Sequence, residues 1–129
     1  MNKKFYFIVA FMISLLALSG CRTAPVLNIT DAPIAIKAKY SESDVKGAIT
    51  RAGGALGWIV KENGPGKMTG TLVLRKHVAV VAISYSKKSY SIQYKDSTNL
   101  DYDGTGIHGN YNGWVQNLDR NIQVQLANL

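Results

Sequence analysis

Six consecutive residues, Val78-Ala79-Val80-Val81-Ala82-Ile83, carry no polar side chain. Their β-branched content favours an extended strand, and successive side chains of a strand point to opposite faces, so this one offers water no polar face. It must lie centrally in a sheet with at least partial cover on both sides. Upstream, Gly57 to Glu62 and Met68 to Leu74 read as two strands joined by Asn63-Gly64-Pro65-Gly66, a strong turn signal. Arg75-Lys76 reverses the chain into His77 to Ser86, and Ser86 to Ser89 reverses it again into Tyr90-Ser91-Ile92-Gln93-Tyr94. Four strands in succession with short connections predict an antiparallel meander. In the last of them Tyr90, Ile92 and Tyr94 alternate with Ser91, Gln93 and Lys95, so one face is covered and the other is wet. The second side of the central strand then offers a place for a second copy of the chain, that is, for a homodimer.

Two helices supply the cover on the first side. Ser41-Glu42-Ser43-Asp44 places cap-forming and acidic residues ahead of Val45, Ile49, Ala52 and Leu56, which share one helical face. Gly53-Gly54 weakens the end of that helix or lets it approach another backbone closely. A second helical pattern runs from Ile107 through Tyr111, Trp114, Val115, Leu118, Ile122, Val124 or Gln125, and Leu126. Between sheet and helix, Asp96 to Gly106 is rich in turn formers and reads as a loop. Val26 to Ile29 and Ile34 to Ile36 are short extended pieces that can add a strand. The expected fold is α+β: a two-layer sandwich of a mostly antiparallel, four- to five-stranded sheet with two helices chiefly on one face.

The first twenty residues have a different character. Asn2-Lys3-Lys4 is basic, Phe5 to Leu18 is almost wholly apolar but short for a membrane span, and Leu18-Ser19-Gly20 leads into Cys21, the one cysteine of the chain. This segment resembles the lipobox signal peptide of bacterial lipoproteins. The resemblance implies cleavage between Gly20 and Cys21 and acylation of Cys21, which anchors the protein to a membrane. Two or more acyl chains make such anchoring stable. Arg22, where an Asp would favour inner-membrane retention, resembles outer-membrane sorting in a Gram-negative envelope and implies a periplasm-facing protein. The chain accordingly divides into a signal peptide at 1–20, a lipidated tether at 21–25 without sequence pattern, and a single domain at 26–129.

Cleavage removes Lys3 and Lys4 from the 15 basic residues and none of the 8 acidic ones, leaving a formal charge of +5 on 109 residues. That size suits one domain with a single core. Arg75-Lys76 and Lys87-Lys88 are the adjacent basic pairs, and both sit where the chain turns. Nucleic acid is excluded as a partner on grounds of compartment. With Cys21 committed to lipid, the domain has no disulfide, and its stability must come from its core.

No catalytic constellation is legible. His77 and His108 stand alone, no Cys or His pair has metal-ligand spacing, and there is no Gly-x-Ser-x-Gly elbow. Asp101-Tyr102-Asp103-Gly104 matches only a fragment of a calcium loop, and turn chemistry accounts for it. The chain reads as a non-enzyme with neither metal nor cofactor. The richest stretch runs from Tyr94 to Trp114, where aromatic and amide side chains suited to sugar or peptide contacts gather. Tyr111 and Trp114 fall at core spacing, which leaves Tyr102, His108, Asn110 and Asn112 as candidate ligand-binding residues. Two functional readings follow. One is a lipid-anchored binding or adaptor module that engages an envelope protein through a sheet edge or the 96–112 loop. The other is a binder of glycan or another small ligand.

Overall fold

Turn chemistry and strand alternation build the meander in the order the sequence predicts. The computed structural model describes residues 22–129, so the signal segment and Cys21 lie outside the described residues. Strands β1 (Thr23–Pro25) and β2 (Ile29–Pro33) precede helix α1 (Glu42–Ala55). Strands β3 (Ile59–Glu62), β4 (Lys67–Leu74), β5 (His77–Tyr85) and β6 (Ser89–Thr98) follow, and then β7 (Gly106–His108) and helix α2 (Gly109–Ala127). The main sheet has five antiparallel strands in the order β2-β6-β5-β4-β3, which puts apolar β5 at its centre. The fold is α+β, a sheet layer and a helix layer, as expected.

The β3–β4 turn places Gly64 at φ 128° and Gly66 at φ 68°, backbone conformations that residues with a Cβ rarely adopt. A Cβ on Gly66 would also lie 2.9 Å from the Tyr85 carbonyl oxygen, so glycine is required there on two counts. At the next turn Leu74 pairs with His77, and Arg75 takes φ 57°. At the third, the Ser86 hydroxyl accepts the N–H groups of Lys88 at 3.1 Å and Ser89 at 3.3 Å.

Met68 and Leu72 of β4, Ala79, Val81 and Ile83 of β5, and Tyr90 and Ile92 of β6 point to the helix side and are buried. Each large apolar side chain withdrawn in this way contributes about 1.5–3 kcal/mol. Helix α1 opens with a full capping box: the Ser41 hydroxyl accepts the Asp44 N–H at 3.1 Å, and the Asp44 carboxylate accepts the Ser41 N–H at 2.8 Å. It buries Val45, Ala48, Ile49 and Ala52, whereas Leu56 is its C-cap and lies exposed. Helix α2 buries Tyr111, Val115, Leu118, Ile122 and Leu126 along one stripe.

Several readings of the sequence need correction. First, residues 22–25 are more than a tether, since Thr23–Pro25 pairs antiparallel with Gly106–His108, Thr23 opposite His108. Neither segment shows strand alternation, because three residues are too few to reveal a period. Second, the stretch taken as a loop from Asp96 begins as strand. A bulge between Val80 and Val81 absorbs one residue of β6 and lets the pairing run on to Thr98. Third, α2 starts at Gly109, and Ile107, which also fits the helical spacing, is a buried residue of β7. Ile34 to Ile36 is not a strand, and of Val26 to Ile29 only Ile29 enters one.

Glycines within the helices separate packing from propensity. Around Gly113 nothing lies within 4 Å of an added Cβ, whereas at Gly53 that atom would sit 2.5 Å from the Val60 Cγ2. Gly113→Ala is expected to stabilise the domain by about 0.5–1 kcal/mol. Gly53→Ala should destabilise it by about 1–3 kcal/mol, because β-branched Val60 has little rotamer freedom to yield. Urea denaturation of the two variants checks the opposite signs.

Candidate functional site

The bulge that extends β6 also sets the geometry of the stretch that follows it. Tyr94 is the last helix-side residue of β6 before the bulge, and beyond β6 the chain turns through Asn99 and Asp101, both in the left-handed region at φ 57° and 54°. Between them Leu100 is driven into the core. The Leu100 carbonyl accepts the His108 N–H at 2.8 Å, and the Asn99 side chain donates to the Lys76 carbonyl at 2.8 Å. A ring nitrogen of His77 lies 2.8 Å from the Asn99 carbonyl oxygen. The loop is therefore held at both shoulders.

Its outer surface forms an open cleft of about 720 Å³ lined by Tyr94, Asp96, Ser97, Asn99, Asp101 and Tyr102, among others. Tyr102 stacks on Tyr94 with ring centroids 4.1 Å apart and planes 27° from parallel. Tyr111 meets the same Tyr94 ring edge-on at 5.7 Å from beneath. The Tyr94 hydroxyl is 2.8 Å from the Ser97 hydroxyl. Tyr102 is 42% exposed, so this stack presents part of an aromatic surface to solvent beside an amide and two carboxylates. Such a surface can hold a flat or sugar-like polar ligand.

The residues singled out from sequence do not converge on that cleft. Tyr102 lines it. His108 is the N-cap of α2, its ring nitrogen accepting the Asn110 N–H at 3.2 Å. Asn112 clamps the N-terminal segment, accepting the Leu27 N–H at 2.9 Å and donating to the Pro25 carbonyl at 2.9 Å. Asn110 lies exposed in the first turn of α2. Asp103 makes a turn: its Oδ1 accepts the Gly106 N–H at 2.7 Å and the Thr105 N–H at 3.0 Å. Those two backbone bonds, Gly106 first, hold its carboxyl below the ordinary range. Their contribution is in place above the usual carboxylate titration and is lost as pH falls through the lowered value. Among the described residues no three His, Cys, Asp or Glu side chains gather as a metal site.

Compared with family models, curated proteins and solved structures, the chain finds no match. The function therefore has to be argued from surfaces, and two further ones stand out. Sequence reasoning missed a groove of about 500 Å³ between Pro33–Lys37 and the end of α2, with Tyr90, Gln123 and Leu126 in its wall. The Tyr90 hydroxyl there donates to Asp119 at 2.5 Å, and burial, followed by that bond, pushes its pKa upward. No local pattern signals this groove, because its walls are some ninety residues apart in sequence.

The other surface is the side of the main sheet away from the helices. Ile59 of β3 pairs with Thr71 of β4, Thr71 with Val80 of β5, and Val73 with Val78, so these side chains form one continuous patch. Ile59 is 57% exposed and Val73 60%, and nothing among the described residues covers them.

Asn112→Ala should destabilise the domain by about 1–3 kcal/mol, since it strands an N–H and a carbonyl that were paired. The Tyr111 hydroxyl is buried without a partner among the described residues. Tyr111→Phe should accordingly be neutral or stabilising by up to about 1 kcal/mol. Thermal melts of both variants distinguish a structural clamp from an idle hydroxyl.

Proposed function

We propose that this protein is a lipid-anchored binding module of the cell envelope, an adaptor without catalytic activity, that engages another envelope protein through the outer face of its sheet. The observation that carries the reading is the outer-face row Ile59, Thr71 and Val80 with Val73 and Val78 beside it, in which Ile59 and Val73 are exposed and the other three half-buried. Soluble monomers seldom leave a continuous apolar patch of this kind on a sheet, and such patches mark interaction surfaces. Val73 and Ile59 are exposed and lie outside the core. Anchoring rests on Leu18-Ser19-Gly20-Cys21. Outer-membrane placement facing the periplasm follows from Arg22 in a Gram-negative cell.

A second reading has its own observation. The Tyr94–Tyr102 stack beside Asp96, Asn99 and Asp101 is suited to glycan or another small polar ligand. It predicts saturable binding to isolated cell-wall sacculi that is lost in Tyr102→Ala.

Photo-crosslinking in intact cells separates the two. A probe at Thr71 of the native, lipidated chain should give one dominant protein adduct, and a probe at Tyr102 should not give the same adduct. A self-adduct at Thr71 would replace the hetero-partner with a homodimer. Adducts at Tyr102 alone would overturn the sheet-face reading. Cys21→Ala should release the protein from the membrane fraction and remove lipid from its N-terminal peptide.

A further inference from the structure

The pairing of β1 with β7 decides where a membrane anchor emerges from the fold. The Gly109 N–H donates to the Arg22 carbonyl at 3.2 Å, and Thr23 lies opposite His108. Arg22 is therefore fixed at the start of α2, and Cys21 is its covalent neighbour. An extended residue spans at most about 3.6 Å, so acyl chains on Cys21 would hold this end of the domain within a few ångströms of the headgroups.

A chain of hydrogen bonds ties the same end to the β4–β5 hairpin. The His108 N–H reaches the Leu100 carbonyl at 2.8 Å, and the Asn99 side chain reaches the Lys76 carbonyl at 2.8 Å. His77 is bonded to Asn99 and lies 6.3 Å from the Trp114 ring. The hairpin is thus braced against the anchored end and cannot swing away on its own. Its tip carries Arg75 and Lys76, and the adjoining Leu74 is 47% exposed. With Arg22 these make three cations, and Asp101 is the covalent neighbour of Leu100 in the same brace. Asp103 sits at the opposite end of the short ribbon and is occupied by its own turn.

We propose that this end of the domain is a membrane-contact surface, on which Arg22, Arg75 and Lys76 meet lipid phosphates and Leu74 enters the headgroup boundary. The inference rests on the anchor reading for Cys21, and it leaves the outer face of the sheet free to engage a partner beside the membrane. Charge alone does not select this end, because Lys87-Lys88 is also basic. That turn, however, lies the length of β5 away, about 26 Å or roughly three screening lengths, so headgroup charge acting at one end of β5 is largely screened at the other.

The native chain has no cysteine other than Cys21, so an acylated protein with one added cysteine labels at a single place. Leu74→Cys and Lys88→Cys forms of the full lipidated protein would carry a fluorophore and be reconstituted in phosphatidylethanolamine–phosphatidylglycerol vesicles doped with a nitroxide-headgroup lipid. The Leu74 label should be quenched several-fold more strongly than the Lys88 label, and a label at Lys76→Cys should behave like that at Leu74. Adding Arg75→Glu and Lys76→Glu to the Leu74→Cys form should remove most of the excess quenching. Equal quenching at both ends, or no response to charge reversal, overturns the contact surface. Mass spectrometry of the N-terminal peptide separates the causes. Unmodified Cys21 overturns the anchor reading and this inference with it, whereas acylated Cys21 with equal quenching overturns the orientation alone.

Discussion

A central strand whose six middle residues, Val78 to Ile83, carry no polar side chain imposes the architecture on everything around it. β5 cannot be an edge, so β4 and β6 must flank it, and its helix-side residues Ala79, Val81 and Ile83 must meet an apolar layer. The stripes of α1 and α2 provide that layer. Once both helices lie on one side, Val78, Val80 and the neighbouring Ile59 and Val73 are left on the other. The core and the proposed binding face thus arise from the same six-residue run.

The second organising element is the start of α2. Within a few residues His108 caps the helix, Gly109 receives the N-terminal strand, Asn112 clamps Pro25 and Leu27, and Trp114 lies near His77. These bonds convert what reads as a short, patternless tether into part of the fold. A lipid anchor on a leash would allow the domain to tumble above the bilayer. An anchor joined directly to a paired strand would limit the orientations open to the domain.

Parts of the molecule with a repeating pattern were legible. The capping box at Ser41 and Asp44, the stripe Tyr111, Val115, Leu118, Ile122 and the hairpin at Asn63–Gly66 are local, and each is stated by neighbouring residues. The candidate site was less so. Tyr102 lines the cleft, whereas His108 and Asn112 have backbone partners that spacing does not reveal. Ser97 reaches the cleft because the bulge opposite Val80 and Val81 shifts the alternation of β6. A one-residue shift of that kind leaves no trace in composition or period.

The sequence by itself determined the meander, the two amphipathic helices and the α+β class. Each depends on interactions between residues close in the chain, where periodicity and turn chemistry report directly on conformation. Tertiary structure alone decided the pairing of Thr23–Pro25 with Gly106–His108, the burial of Leu100 and the groove beside Tyr90. It also decided which apolar face stayed open. Those features join segments that are distant in sequence and short. Their energy comes from hydrogen bonds and contacts that exist only after the sheet and helices have docked.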